Sequence, residues 1–425
     1  KNFVDLEYSL TASTSATQGA TYCLRVTDAG TALDVYDTYP EVIIKAATDF
    51  YIQRGVSTMS GTSLTLTAGT EYSAPAASTT SFLRITNTLN SGAGGGTAGS
   101  ADNVTVYVSN PSNITNNIIF TRPAGATGNT RVAWEIIEYV GAPGGNNEIT
   151  VRQQTTATYG SGATTVTTAA ASGVVDDTDM VVFITGQLNP DTGTNYPYGN
   201  STAAWNAGGD TTTFTRGASG NTSGVSYAAV EFVGSNWKVQ RDEHTYAAVG
   251  VTETSAITAV NSLSRSFIHT QKRMGSGLNT HGDYGHQVWL SGIGQVSYLL
   301  DSTGSTPGSH TSVAWVIENT QTIGTVMDVT RSNGTQSSGA APLTLNVNIG
   351  KTIADTQDAS IFMNNSGDET GGGGANTFPE PMMSARLISE TQYELWVADT
   401  DDSRTWRTEV VEWPTAARDI DQNYY

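Results

Sequence analysis

A single cysteine, Cys23, stands in 425 residues, so no internal disulfide can staple the fold, and stability must come from packing or from association between chains. Cys23 lies in the strand-like run Tyr22-Cys23-Leu24-Arg25-Val26 and reads as a small buried hydrophobe rather than a reactive thiol. Charge is scarce and one-sided. Charged residues make up 14% of the chain, with 20 basic against 39 acidic side chains, a net charge of -19 and a pI near 4.5. With neither a basic stripe nor a cationic helix, nucleic acid and anionic membrane are excluded as expected partners. Apolar runs are too short to span a bilayer. No stretch carries a useful helical period, and the start at Lys1, without methionine or leader, suggests a processed chain or a fragment.

What is present is a repeat. A short apolar strand ending in glutamate occurs four times: Ala133-Trp134-Glu135-Ile136-Ile137-Glu138-Tyr139, Ala228-Ala229-Val230-Glu231-Phe232, Ala314-Trp315-Val316-Ile317-Glu318 and Thr408-Glu409-Val410-Val411-Glu412-Trp413. Glu138, Glu231, Glu318 and Glu412 are spaced by 93, 87 and 94 residues, the size of one small β-sandwich. Roughly 50 residues ahead of each lies a strand built around Phe82, Phe183, Phe267 or Phe362. Earlier still come Thr-rich strands at Ser63–Thr67, Thr164–Thr167, Ser255–Thr258 and Leu343–Asn346, and each unit opens on a strand carrying Arg54, Arg152, Arg241 or Arg331. Alternation of period two, β-branched residues and Gly/Asn/Ser/Asp turns argue strands throughout. With Val104–Tyr107 and Ile118–Phe120 added, six or seven strands per unit form two packed antiparallel sheets.

The expected fold is therefore all-β, a tandem array of about four antiparallel β-sandwich domains of immunoglobulin-like or jelly-roll-like build, with an incomplete N-terminal unit. The boundaries read as 1-47 for that partial unit, 48-143, 144-234, 235-320 and 321-418 for the sandwiches, and 419-425 for a tail. Residues 1-47 hold too few strands to close a sandwich. They are expected to pair with strands of a neighbouring copy, head to tail, through Phe3, Val4, Leu6, Tyr8, Val42, Ile43 and Ile44. The competing reading is a domain cut short, or a segment packed on the first full unit.

The run Tyr22-Cys23-Leu24-Arg25-Val26-Thr27-Asp28-Ala29-Gly30-Thr31-Ala32-Leu33-Asp34-Val35-Tyr36 through Tyr39-Pro40-Glu41, with the Gln-Arg and Trp-Glu-Ile-Ile-Glu-Tyr markers, resembles repetitive secreted β-sandwich surface proteins of environmental bacteria. Their tandem modules carry a W-x-V-V-E-F strand and a V-Q-R-G opening, and related patterns occur in phage tail proteins. The likeness is loose, with Asn319 following the glutamate of unit three and no tryptophan on that strand in unit two. It implies an extracellular or cell-surface structural role, or alternatively a virion one, and supplies no catalytic residue.

Candidate chemistry is sparse. Asp176, Asp177 and Asp179, and Asp399, Asp401 and Asp402, form acidic loops of the oxygen chemistry that calcium takes. Neither has a full calcium-loop spacing, and solvated acidic turns compete with that reading. No other cofactor is implied. The five histidines, His244, His269, His281, His286 and His310, match no zinc signature. Trp134, Trp315 and Phe232 read as core plugs. Trp205, Trp289, Trp396 and, above all, the loop Tyr196-Pro197-Tyr198 are the candidates for stacking on surface glycans. The Gly92–Gly96 and Gly371–Gly374 runs read as loop tips, and the Asn-x-Ser/Thr sequons, six in number, as matches expected by chance. The repeated glutamates, one per module, suit a structural Glu/Arg pair within a module or at its seam, against the alternative of a solvated strand end. A non-enzymatic structural subunit of a filament, stalk or surface layer is the leading expectation. A carbohydrate-binding adhesin or phage fibre comes second, and a hydrolase last.

Overall fold

The structure is a computed structural model. It describes residues 21–23, 41–43, 48–89, 105–124, 129–189, 200–275, 285–300, 307–336, 344–368, 383–397 and 403–415. Phe3, Val4, Leu6, Tyr8, Ile44, Tyr196, Tyr198, His281, Asp399, Asp401 and Asp402 and both glycine runs lie outside the described residues.

The fold is all-β. Two short strands, β1 (Thr21–Cys23) and β2 (Glu41–Ile43), pair antiparallel, Tyr22 opposite Val42. Unit one follows as β3 (Phe50–Met59), β4 (Ser63–Thr67), β5 (Ser81–Leu89), β6 (Tyr107–Val108), β7 (Asn117–Thr121) and β8 (Thr130–Tyr139). Unit two has β9 (Thr150–Tyr159), β10 (Thr165–Thr167), β11 (Met180–Leu188), β12 (Ser201–Asn206), β13 (Thr211–Arg216) and β14 (Ser223–Glu231). Unit three has β15 (Trp237–Thr245), β16 (Thr252–Ala256), β17 (Ser266–Arg273), β18 (His286–Gly292), β19 (Gln295–Leu300) and β20 (Thr311–Asn319). Unit four has β21 (Asp328–Gln336), β22 (Thr344–Asn348), β23 (Ala359–Asp368), β24 (Met383–Leu387), β25 (Gln392–Val397) and β26 (Ser403–Glu412). In every unit the sixth strand lies between the first and third, and the fifth lies between the second and fourth. Each unit is thus a pair of three-stranded antiparallel sheets, the sandwich that the period-two alternation demands. The Thr-rich strand of unit three, β16, ends at Ala256, earlier than its apolar residue Ile257 suggested.

Sandwich cores form inside the units. Leu66, Leu83, Ile118, Phe120 and Trp134 fill unit one, Val288, Val296, Tyr298 and Val316 unit three, and Ile361, Tyr393, Leu395 and Trp406 unit four. Two of these tryptophans fix the residue across the strand pair. Gly55 lies opposite Trp134 and Gly334 opposite Trp406, and a Cβ at either glycine would fall 2.3 or 2.4 Å from the indole. The side-chain-free position is filled by the ring, so these glycines serve packing rather than a turn.

The array is not extended. The largest buried cluster takes residues from all four units, among them Phe50, Phe82, Phe183, Trp237, Phe267, Phe362 and Trp413. The fourth strand of each unit lies against an inner-sheet strand of the next: β6 on β11, β12 on β17, β18 on β23 and, closing the cycle, β24 on β5. Four units therefore form a closed ring around a pseudo-fourfold axis, with their third strands surrounding that axis.

Candidate functional site

The repeat places equivalent residues at equal heights along the axis, counted from the repeated glutamate on the sixth strand. One residue before it, the partners on the third strand are Phe82, Val181, Phe267 and Ser360. Three residues before it, they are Arg84, Phe183, His269 and Phe362. The four phenylalanines thus sit at two levels rather than forming one marker, because levels must interdigitate to fill the axis. Phe82 stacks on Phe183 and Phe267 packs on Phe362, each at 4.6 Å between ring centroids. Arg84 lies over Phe362 at 3.5 Å and His269 packs on Phe183 at 4.8 Å.

Buried ion pairs flank this aromatic plug. Glu135 takes Arg54 and Arg84 at 3.4 and 3.3 Å, and Glu409 takes Arg331 at 2.8 Å. Each glutamate also accepts a backbone N–H of the preceding unit, from Ile361 at 3.3 Å and Ile268 at 2.7 Å. Arg54 donates to the carbonyls of Thr356 and Ala359, and Arg331 to those of Leu263 and Ser266. Arg54 and Arg331 are therefore seam residues, as Arg241 is through the carbonyl of Ala203 at 3.0 Å. Burial pushes the Glu409 carboxyl above its usual range and the Arg84 guanidinium down to about 10.

The repeated glutamates have a different task from the expected arginine pairing. Glu138 accepts the N–H of Ala76, Glu231 those of Val175 and Asp176, Glu318 that of Asn261 and Glu412 that of Ala354, at 2.5 to 2.9 Å. In each unit the carboxylate staples the loop leading into the third strand, satisfying donors that an irregular segment would otherwise leave open. Glu138, Glu231 and Glu318 are buried, which overturns the solvated-end reading. Only Glu231 also pairs with an opening-strand arginine, Arg152, at 2.5 Å. Arg152 reaches it from a β-bulge, the extra residue between Val151 and Gln153 in the β9–β14 register.

Beyond the plug the axis opens into two adjoining cavities. The smaller, about 140 Å³, touches Arg84, Ile184, His269, Phe362 and Glu409. The larger, about 220 Å³, is lined from all four units and includes Asn87, Gln187, His269, Lys272, His286 and Asn365. Asn87, Gln187, Lys272 and Asn365 are equivalent positions, each paired with the residue six before the repeated glutamate. Three are carboxamides, and the fourth is an amine. Lys272 keeps part of its surface open, while the surrounding wall desolvates it and lowers its pKa to about 7. Desolvation also holds His269 down at about 3 and, with help from His310 and Lys272, holds His286 well below the usual imidazole range. His286 joins Ser312 through Nδ1 at 2.8 Å and His310 through Nε2 at 2.9 Å, and Tyr246 meets Ser312 at 3.0 Å. All four are buried, a connected polar network under the cavity wall. The clustering of histidines in unit three was visible in the chain, but the lysine among amides was not, because its level is set by register across four distant strands.

The acidic loop Asp176, Asp177 and Asp179 is committed within the fold. Asp176 accepts from the N–H and hydroxyl of Thr178 at 2.8 and 2.6 Å, and Asp177 from the indole of Trp205 at 2.7 Å and the N–H of Gly208 at 3.1 Å. Burial, then Asp176 and Glu231, raise the Asp179 carboxyl to about 6. Among the described residues no three His, Cys, Asp or Glu side chains form a group able to hold a metal ion. Trp134, Trp315 and Phe232 are core residues as expected. The tryptophans expected as stacking platforms are half-buried and engaged: Trp205 by Asp177, Trp289 by Arg407 at 3.6 Å and Trp396 by Arg131 at 4.7 Å. No helix among the described residues is long and apolar enough to cross a membrane. Comparison of the chain with protein-family models, with curated proteins and with solved structures found no match.

Proposed function

We propose that this chain is a non-enzymatic structural subunit of an extracellular or cell-surface assembly, and that it self-associates through strand edges. The observation that supports the reading most directly is where ring closure leaves those edges. The inner sheets and the fourth strands are taken up in the seams, whereas β4, β10, β16 and β22 end their sheets. These strands are short and rich in Thr, Ser and Asn, with most of their residues partly or fully exposed. Such edges accept a further strand by backbone hydrogen bonding. The donor is the segment before the ring. Its β1–β2 ribbon pairs only with itself among the described residues, and two strands alone are marginal in water. Adding this ribbon to an outer edge of a second copy satisfies both partners, and the net charge of -19 keeps the product from collapsing into non-specific aggregates.

The test compares the full chain with one lacking residues 1–47, by sedimentation velocity and electron microscopy over a range of concentrations. Concentration-dependent linear assemblies of the full chain, lost on truncation, are expected. Identical association of the two forms, or a full chain that stays monomeric throughout, would overturn the reading.

A further inference from the structure

The axial cavity has features that ring closure alone does not require. A plug that merely closed the axis would keep filling it with large apolar side chains, as Phe82, Phe183, Phe267 and Phe362 do beside Val181, Ser360, Arg84 and His269 at the two levels below. Past Ile85, Ile184 and Met363 the lining becomes polar, and a space of about 220 Å³ is left between the four strands. Three features decide what it fits. The first is an amine, Lys272, at the same level as the carboxamides of Asn87, Gln187 and Asn365. The second is the Oε1 of Gln187, buried and without a hydrogen-bond partner among the described residues, an acceptor that calls for a donor such as a hydroxyl. The third is size, below the several hundred Å³ of sites for drug-sized molecules, which suits one sugar ring or a short acid.

We propose that the axial cavity binds a small hydroxylated carboxylic acid of single-sugar size, with the Lys272 ammonium on the carboxylate and the Gln187 carboxamide oxygen accepting from a hydroxyl. The apolar side chains of Ile85, Ile184 and Met363 supply the floor on which a ring or carbon chain rests. His269 and His286 stay neutral and so do not compete for the anion, and both ring nitrogens of His286 are engaged by Ser312 and His310. This inference does not depend on strand-edge assembly, and either can fail alone.

Binding is linked to protonation. Lys272 titrates at about 7 because the wall desolvates its charged form. An anion favours that charged form and raises the pKa, so binding is strongest below pH 7 and weakens as pH rises through 7 and above. The other charged groups lining the two cavities among the described residues do not reverse this sign. Arg84 stays cationic, being lowered only to about 10, Glu409 is paired with Arg331, and His269 and His286 lie low.

The experiment is isothermal titration calorimetry on the full chain with galacturonic acid, malate and neutral galactose at pH 6 and pH 9. Both acids are expected to bind at pH 6 and to lose at least about tenfold in affinity at pH 9, with galactose silent. A preference for galacturonic acid identifies a glycan-derived acid, and a preference for malate a free hydroxy acid. Lys272→Met should abolish binding, and Gln187→Leu should weaken it while sparing the pH dependence. Absence of binding by both acids to the unaltered chain at pH 6 overturns the proposal whatever the variants do. So does equal binding of galactose, or undiminished binding by a folded Lys272→Met variant.

Discussion

Asp179 is a residue whose charge state opposes the fold. Its carboxyl is half-buried beside Asp176 and Glu231, and is raised from the ordinary aspartate range to about 6. A carboxyl with a raised folded-state pKa binds its proton more tightly folded than unfolded. Its contribution is therefore favourable below about pH 4 and is lost as pH climbs through 6. Asp179→Asn removes the ionisation and keeps the shape. The variant is expected to melt several degrees above the parent at pH 8 and at the same temperature at pH 4, as read by calorimetry. Equal melting temperatures at pH 8 would mean that Asp179 carries no unfavourable charge. Sequence reading found this aspartate but weighed only a calcium loop against a solvated acidic turn, since a run of acids shows ligand chemistry and hides burial. The same limit applies to the repeated glutamates. Their number and spacing are legible as structural, but their partners are backbone N–H groups, and a backbone donor leaves no mark in a sequence.

At the scale of elements, all four seams use one device with four different side chains. A polar group on the inner sheet grips the backbone of the preceding unit's fourth strand. Thr86 accepts the N–H of Ala385 at 3.1 Å, Ser226 that of Val108 at 3.0 Å, Gln271 that of Ala203 at 2.7 Å and Asn364 that of Val288 at 3.1 Å. Asn364 also donates to the Val288 carbonyl at 2.9 Å, making a two-point clamp. Asn364→Leu leaves both backbone groups without that partner, at a cost of about 1 to 3 kcal/mol. Hydrogen exchange at the Val288 amide is expected to rise, while the Ala203 and Ala385 amides keep their protection. Acceleration at all three would show that the seams open together. Thr, Ser, Gln and Asn share no pattern that a repeat search rewards, so the strands were readable and the clamps between them were not. Strand order also follows from local pairing, whereas the lie of β24 on β5 joins residues about 300 positions apart.

The whole molecule is closed by one further cluster, which ties its beginning to its end. Asn147 donates to Asp49 at 2.9 Å and to Gln321 at 2.7 Å, and Asn236 and Asn319 donate to Asn147 at 2.8 and 3.1 Å. Gln321 in turn donates to the carbonyl of Thr415 at 2.7 Å. Linkers from three junctions and both ends of the ring meet in this amide network, above the layer where Phe50 stacks on Trp413 at 4.6 Å and packs edge-on to Trp237. In an open array each unit needs only its neighbours, and terminal units carry distinct caps. Here unit four serves as the neighbour of unit one, so the ring has no terminal unit to cap. It follows that the covalent break can move. A circular permutant joining Thr415 to Thr48 through a short Gly-Ser linker, and opened in the exposed turn between Gly208 and Gly209, keeps every seam and the shared core. It is expected to unfold in one calorimetric transition within about 5 °C of the parent. Two separated transitions would instead mean that the units are energetically independent, and that the aromatic axis contributes little to holding them together.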